Sequence, residues 1–199
     1  MSSSSQTRQQ IRNEIRARRR QLEFHHHVDL STSLSRNLFP SPQIRNSQHI
    51  ALYLSNDGEV DLSSLIDRLR SAGKQCYLPI LSPIFHNQLW FAPYHRDSDM
   101  VLNRFGIAEP DVNWRYAKPA WALDLILMPL VAFDVQGNRL GMGGGFYDRS
   151  LAYLNRRKVW RKPYLMGTAF ELQKFTQLPH ASWDIPMNGI MTEKQFYPL

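Results

Sequence analysis

Residues 123–130 read Leu-Asp-Leu-Ile-Leu-Met-Pro-Leu, an apolar run with a single charge, Asp124. A strand with one wet face alternates polar and apolar residues. A near-continuous run is covered on both faces, which requires helices on either side of a largely parallel sheet. The neighbouring segments agree. Residues 49–54 and 75–80 read as strands, and between them Leu62, Leu65, Ile66 and Leu69 recur at helical spacing, with Asp61 as N-cap and Gly73 closing the helix. Further strands are expected at 88–92, 164–168 and 189–192, and 93–120 reads as loop-rich. Nearer the start, 8–23 and 29–39 read as helices separated by a break at 24–28, after a disordered start at 1–7. Alternating strands and helices predict a single-domain three-layer α/β/α sandwich over 8–199 with a mostly parallel sheet. In such sheets the ligand sits beyond the carboxyl ends of the strands. That places the expected site at 54–59, 129–147 and the loop near 169–171.

The segment 139–149 follows the buried strand across a predicted loop at 131–137. It reads Arg-Leu-Gly-Met-Gly-Gly-Gly-Phe-Tyr-Asp-Arg and leads into a helical pattern carried by Tyr147, Leu151 and Leu154. Glycine admits positive φ and lets backbone N–H groups approach a ligand closely. A glycine turn that opens a helix suits phosphate. The arginines at either end add charge. The run is not a Walker A loop, since no Gly-Lys-Ser/Thr follows. It also lacks the last glycine and the later acidic residue of a dinucleotide fingerprint. A purely structural turn is the plain alternative.

Four other features bear on chemistry. Asp148 and Asp184 are carboxylates outside the apolar pattern, each beside an aromatic residue. Mg²⁺ is usually held by one or two carboxylates plus phosphate oxygens, although Asp184 also suits a turn cap before Ile185-Pro186. Glu59, just past a strand end, fits either an acceptor for heterocycle N–H groups or a solvated turn residue. Six arginines between Arg8 and Arg20 lie on a helix with Ile11, Ile15 and Leu22 inward. They fit a polyphosphate clamp, a solvated face or a nucleic-acid arm. The histidines at 25–27 do not share one face, which argues for a surface loop rather than a metal site. The net charge of +7 favours anionic partners. One cysteine, Cys76, excludes an internal disulfide and suits a reducing cytosol. No apolar run approaches a membrane span.

The glycine run in its full setting is Leu-Val-Ala-Phe-Asp-x-x-Gly-Asn-Arg-Leu-Gly-Met-Gly-Gly-Gly-Phe-Tyr-Asp-Arg. With Tyr53-Leu-Ser-Asn-Asp-Gly-Glu59, Gly106-Ile-Ala-Glu-Pro110 and Trp183-Asp-Ile-Pro186, it closely resembles the 5-formyltetrahydrofolate cyclo-ligase family. The resemblance implies ATP-dependent closure of 5-formyltetrahydrofolate, with or without a polyglutamyl tail, to 5,10-methenyltetrahydrofolate. It implies ADP and phosphate as the other products, and Mg²⁺ as cofactor. It also implies a cytoplasmic monomer with no nucleic-acid or membrane partner. By the same resemblance, Arg8, Arg12, Arg139, Leu140, Gly141, Met142, Gly143, Gly144, Gly145, Phe146 and Tyr147 match ATP-binding positions. Leu54, Glu59 and Met142 through Phe146 match folate-binding positions, and Asp148 and Asp184 match the metal positions. Arg139, Gly143, Gly145 and Tyr147 stand at the catalytic positions. The chain departs from the pattern in places: Arg8 stands where lysine is common, and Met142 and Gly144 where some members carry basic residues.

Two other readings stand beside this one. A nucleic-acid-binding module would use the 8–20 helix, but that stretch lacks the interleaved aromatics that stack on bases. A sugar-phosphate-isomerase-like or CoA-transferase-like enzyme follows from fold analogy alone.

Overall fold

The protein is described here from a computed structural model that covers residues 7–156 and 162–199. Helix α1 (Arg8–Arg20) opens on a capping box. In it the Gln10 N–H donates to the Thr7 hydroxyl and the Thr7 N–H donates to Gln10 Oε1 at 2.8 Å. The expected disordered start otherwise lies outside the described residues. Helix α2 (Phe24–Leu38) begins earlier than expected, so the break falls at 21–23 rather than 24–28. Histidine is tolerated in a helix, and Leu34 and Leu38 anchor the far end in the core. His27 settles the near end: its ring meets Phe170 edge-on at 5.2 Å, and its Nε2 lies 2.9 Å from the Glu59 carbonyl. Val28, on the same helix, is exposed.

The short helix α3 (Pro42–Arg45) leads into β1 (His49–Ala51), α4 (Ser63–Ser71), β2 (Gln75–Leu81) and β3 (Leu89–Pro93). Strand β1 stops short of the predicted 49–54. Gly73, with φ of +72°, closes α4 as the sequence requires. A hairpin of β4 (Met100–Leu102) and β5 (Ala108–Pro110) interrupts the loop-rich stretch. Then come β6 (Leu125–Pro129), β7 (Ala132–Asp134), β8 (Arg139–Leu140), α5 (Phe146–Leu151), β9 (Tyr164–Thr168), β10 (Lys174–Phe175), β11 (Gly189–Met191) and β12 (Phe196–Pro198). The predicted loop at 131–137 is therefore mostly a tight hairpin. Strands of two or three residues are too short for alternation to show.

The main sheet has the order β12-β11-β9-β6-β1-β2-β3, parallel through its five inner strands and antiparallel at both edges. Its faces are distinct, because successive side chains point to opposite sides. Ile50, Leu125 and Leu127 pack with α2 and α4, whereas Ala51, Ile126 and Met128 pack towards α5. This double cover explains the continuous apolar run in β6. The sheet β10-β7-β8 forms a separate platform, on which Ile11 and Ile15 of α1 pack against Val131, Ala132 and Leu140. Helix α1 is thereby held beside the loop that leaves β8.

Candidate functional site

The chain leaving β1, the end of β2 and the residues leaving β6 surround a cavity of about 550 Å³ at the carboxyl edge of the sheet. After β1 the chain turns through Asp57 and Gly58, both with positive φ. Three arginines of α1 converge on Asp57: Arg16 Nε at 2.5 Å, Arg20 Nε at 2.8 Å and Arg19 NH2 at 3.5 Å. That clamp seats the turn and directs Glu59 into the cavity. Only 7% of Glu59 is exposed. Its Oε2 accepts the Asn56 N–H at 3.3 Å. Burial pushes its carboxyl up to about 7, against the opposing pull of the Arg19 charge. The hydroxyls of Tyr53 and Tyr147, in the same cavity, are pushed upward by burial and by the Glu59 charge. Tyr53 spends its hydroxyl on Thr168 Oγ1 at 2.8 Å, whereas the buried Tyr147 hydroxyl has no partner among the described residues.

The glycine loop hangs from the β7–β8 hairpin. Buried Asp134 secures that hairpin by accepting the N–H groups of Gln136, Asn138 and Leu178. Gly143 and Gly145 take φ of +107° and +63°, a region L side chains rarely adopt. The N–H groups from Gly141 to Gly145 have no acceptor among the described residues. Arg12 Nε holds the Gly141 carbonyl at 2.8 Å, and a Cβ built at Gly143 would lie 3.6 Å from the Arg12 guanidinium. Burial and the nearby Arg8 charge lower the Arg12 pKa. Helix α5 has only six residues, so loop N–H groups and arginines, rather than a long helix dipole, set the potential here.

Arg139 projects from β8 into the cavity and donates from NH2 to Asp148 Oδ1 at 2.6 Å. The same oxygen accepts the Ile185 N–H at 3.2 Å, which brings Asp148 beside the segment carrying Asp184. Asp184 Oδ2 accepts from Arg8 and from the Ala181 N–H at 2.8 Å. The other oxygen of each aspartate is without a hydrogen-bond partner among the described residues. Both aspartates line the cavity, and two carboxylates with an oxygen to spare suit a hard divalent cation completed by phosphate oxygens and water. The described residues contain no cluster of three or more acidic, histidine or cysteine ligands that would hold a metal by protein alone.

Most of the expected site residues share this cavity: Arg8, Arg12, Leu54, Glu59, Arg139, Gly141 through Phe146, Tyr147, Asp148 and Asp184. Leu140 is the exception, because strand alternation turns it into the core against Ile11 and Ile15. The loop near 169–171 also stays out of the lining, and Phe170 is wholly buried. The arginines of α1 prove to be largely engaged within the protein. Besides the Asp57 clamp, Arg18 donates to Glu14 at 2.5 Å. The sequence reading missed Tyr53, Phe105, Ile107, Glu109 and Trp183, which line the cavity. The motif at 106–110 was visible, but its hairpin, which folds over β2, was not.

Comparisons with known proteins find relatives over nearly the whole chain. A family model described as the 5-formyltetrahydrofolate cyclo-ligase family matches residues 4–193. A 5-formyltetrahydrofolate cyclo-ligase of Escherichia coli strain K12 is 39% identical over 183 residues, covering 92% of this chain and 98% of the relative. One from Haemophilus influenzae is 40% identical over 190 residues, covering 94% and 98%. An NMR structure of Aquifex aeolicus 5,10-methenyltetrahydrofolate synthetase superposes with a TM-score of 0.80 at 31% identity, covering 96% of this chain and 92% of that one.

Proposed function

This chain belongs to the 5-formyltetrahydrofolate cyclo-ligase family, and we propose that it closes 5-formyltetrahydrofolate to 5,10-methenyltetrahydrofolate while converting ATP to ADP and phosphate. The observation that carries this reading is convergence. The free loop N–H groups, Arg8, Arg12 and Arg139 face the same space as Leu54, Glu59 and Tyr147. An anionic phosphate chain and an apolar, N–H-bearing heterocycle can therefore meet there.

The chemistry suits such a site. The formyl oxygen is a poor leaving group. It attacks the γ-phosphorus, the bond to the β-phosphate bridging oxygen breaks, and ADP departs. The N10 lone pair then attacks the activated formyl carbon, the carbon–oxygen bond breaks with release of phosphate, and N10 gives up its proton. The nucleophile is tethered in the same molecule, so positioning and charge neutralisation dominate. In this reading Arg8, Arg12, Arg139 and the glycine loop bind the phosphates. Glu59 accepts pterin N–H groups beside Leu54, and Met142 and Phe146 border the folate. The unspent Tyr147 hydroxyl donates to the reacting oxygen. Asp148 and Asp184 would hold Mg²⁺, which supplies positive charge against the phosphates. The same reading makes the protein a cytoplasmic monomer.

Purified protein mixed with authentic 5-formyltetrahydrofolate, ATP and Mg²⁺ should generate the methenyl chromophore, and omitting either ATP or Mg²⁺ should abolish it. Folded protein that yields no product under these conditions would remove the proposal.

A further inference from the structure

The main cavity continues into a smaller groove of about 230 Å³, and the two share Leu81, Asn103, Glu109 and Phe146 as walls. One guanidinium, Arg104, lines this groove, and a second, Arg149, reaches its wall at Asn87. Arg104, at the tip of the β4–β5 hairpin, donates to Asn87 Oδ1 at 3.0 Å. Arg149, on α5, donates from Nε to the Asn87 carbonyl at 2.9 Å and from NH2 to the Gly144 carbonyl. Each lies over a phenylalanine, Arg104 over Phe105 at 5.0 Å and Arg149 over Phe146 at 5.5 Å. The two rings meet edge to face at 5.5 Å. The groove is thus bordered by two cation–aromatic units bridged by one asparagine.

Neither guanidinium has a carboxylate partner among the described residues, unlike Arg8, Arg16, Arg18, Arg19, Arg20 and Arg139. The acidic residue in the groove, Glu109, directs Oε2 to the Leu81 N–H at 3.2 Å and to Asn103 Nδ2 at 3.1 Å. One carboxylate beside two guanidiniums leaves net positive charge. His86 stands on the same wall. Exposed donors that meet only neutral oxygens are available to an incoming anion, and guanidinium matches a carboxylate with two parallel hydrogen bonds.

Under the functional reading above, on which this step rests, Glu59 anchors the pterin deep in the cavity. The opposite end of that elongated substrate carries glutamyl carboxylates and must lie towards the mouth. We propose that Arg104 and Arg149 form a carboxylate subsite for that glutamyl end, and that the groove guides a γ-linked glutamyl tail out of the cavity. Because Arg149 also grips Gly144, the tail subsite adjoins the phosphate loop.

Steady-state kinetics with three substrates tests this: 5-formyltetrahydropteroate, which lacks glutamate, the monoglutamate and the triglutamate. In the wild type, kcat/KM should rise with tail length. In Arg104→Gln the triglutamate-to-pteroate ratio of kcat/KM should fall about fivefold, the size expected for an exposed charge contact. Arg104→Lys should recover part of that ratio. High salt should erode the wild-type ratio. An equal loss for all three substrates would mean that Arg104 acts by placing Phe105, and would overturn the subsite. So would a change confined to KM for ATP, which would assign the guanidinium to phosphate. Wild-type protein that turns over none of the three would instead overturn the functional reading, and the subsite with it.

Discussion

Replacing Glu59 by glutamine should make the protein more stable and a worse enzyme. Glu59 is 7% exposed, and burial raises its carboxyl from 4.5 to about 7. A carboxyl raised on folding favours the native state while protonated. Its contribution is fully present below pH 4.5 and is lost as the pH climbs through 7. At roughly 1.4 kcal/mol for each pH unit between the two values, the loss amounts to about 3 kcal/mol at pH 8. Glutamine fills the same space without a charge and can still accept the Asn56 N–H through its amide oxygen. Urea unfolding of both proteins at pH 5 and pH 8 isolates the effect, since His49 and the other titrating groups are common to both. The stability gain from Glu59→Gln should be small at pH 5 and approach 3 kcal/mol at pH 8. At pH 8 kcat/KM for the folate should fall, by about 10- to 150-fold for one lost hydrogen bond to a charged group. A variant no more stable than wild type at pH 8, or a gain of equal size at both pH values, would refute the claim that burial of an ionised Glu59 is the cost.

Arg139→Ala removes a nearly buried guanidinium from Asp148 and from the cavity. KM for ATP should rise and kcat/KM fall, with about 1.5–3 kcal/mol lost for one charge-assisted contact; wild-type kinetics would contradict the loop assignment. Asp148→Asn should move the Mg²⁺ dependence to higher concentrations at saturating ATP, which a metal titration of the rate would reveal. Tyr147→Phe deletes a buried hydroxyl that has no partner among the described residues. Thermal stability should hold or rise, by up to about 1–3 kcal/mol, while kcat falls. Unchanged turnover would free that hydroxyl from any role in the reaction.

The sandwich was legible wherever pattern and burial are the same statement. The apolar run of β6, the helical spacing of Leu62, Leu65, Ile66 and Leu69, and the Gly73 stop all report local geometry that the chain carries wherever it folds. The glycine loop belongs with them, because positive φ at Gly143 and Gly145 is a property of those residues. Other features were hidden for equally physical reasons. The hairpins β4–β5 and β7–β8 are too short to show alternation. Arg139 and Leu140 are chain neighbours yet face the cavity and the core respectively, since a strand turns successive side chains to opposite sides.

Spacing along the chain thus accounts for the layers, the turn chemistry and the inventory of charges. It could not say which charges meet. Asp57 gathers arginines 37 to 41 positions away, Arg8 finds Asp184 across 176, and Glu59 becomes a costly buried carboxylate because α1 lies over its turn. Coulombic partners and desolvation depend on distance in space, and distance in space exists once the platform beneath α1 has formed.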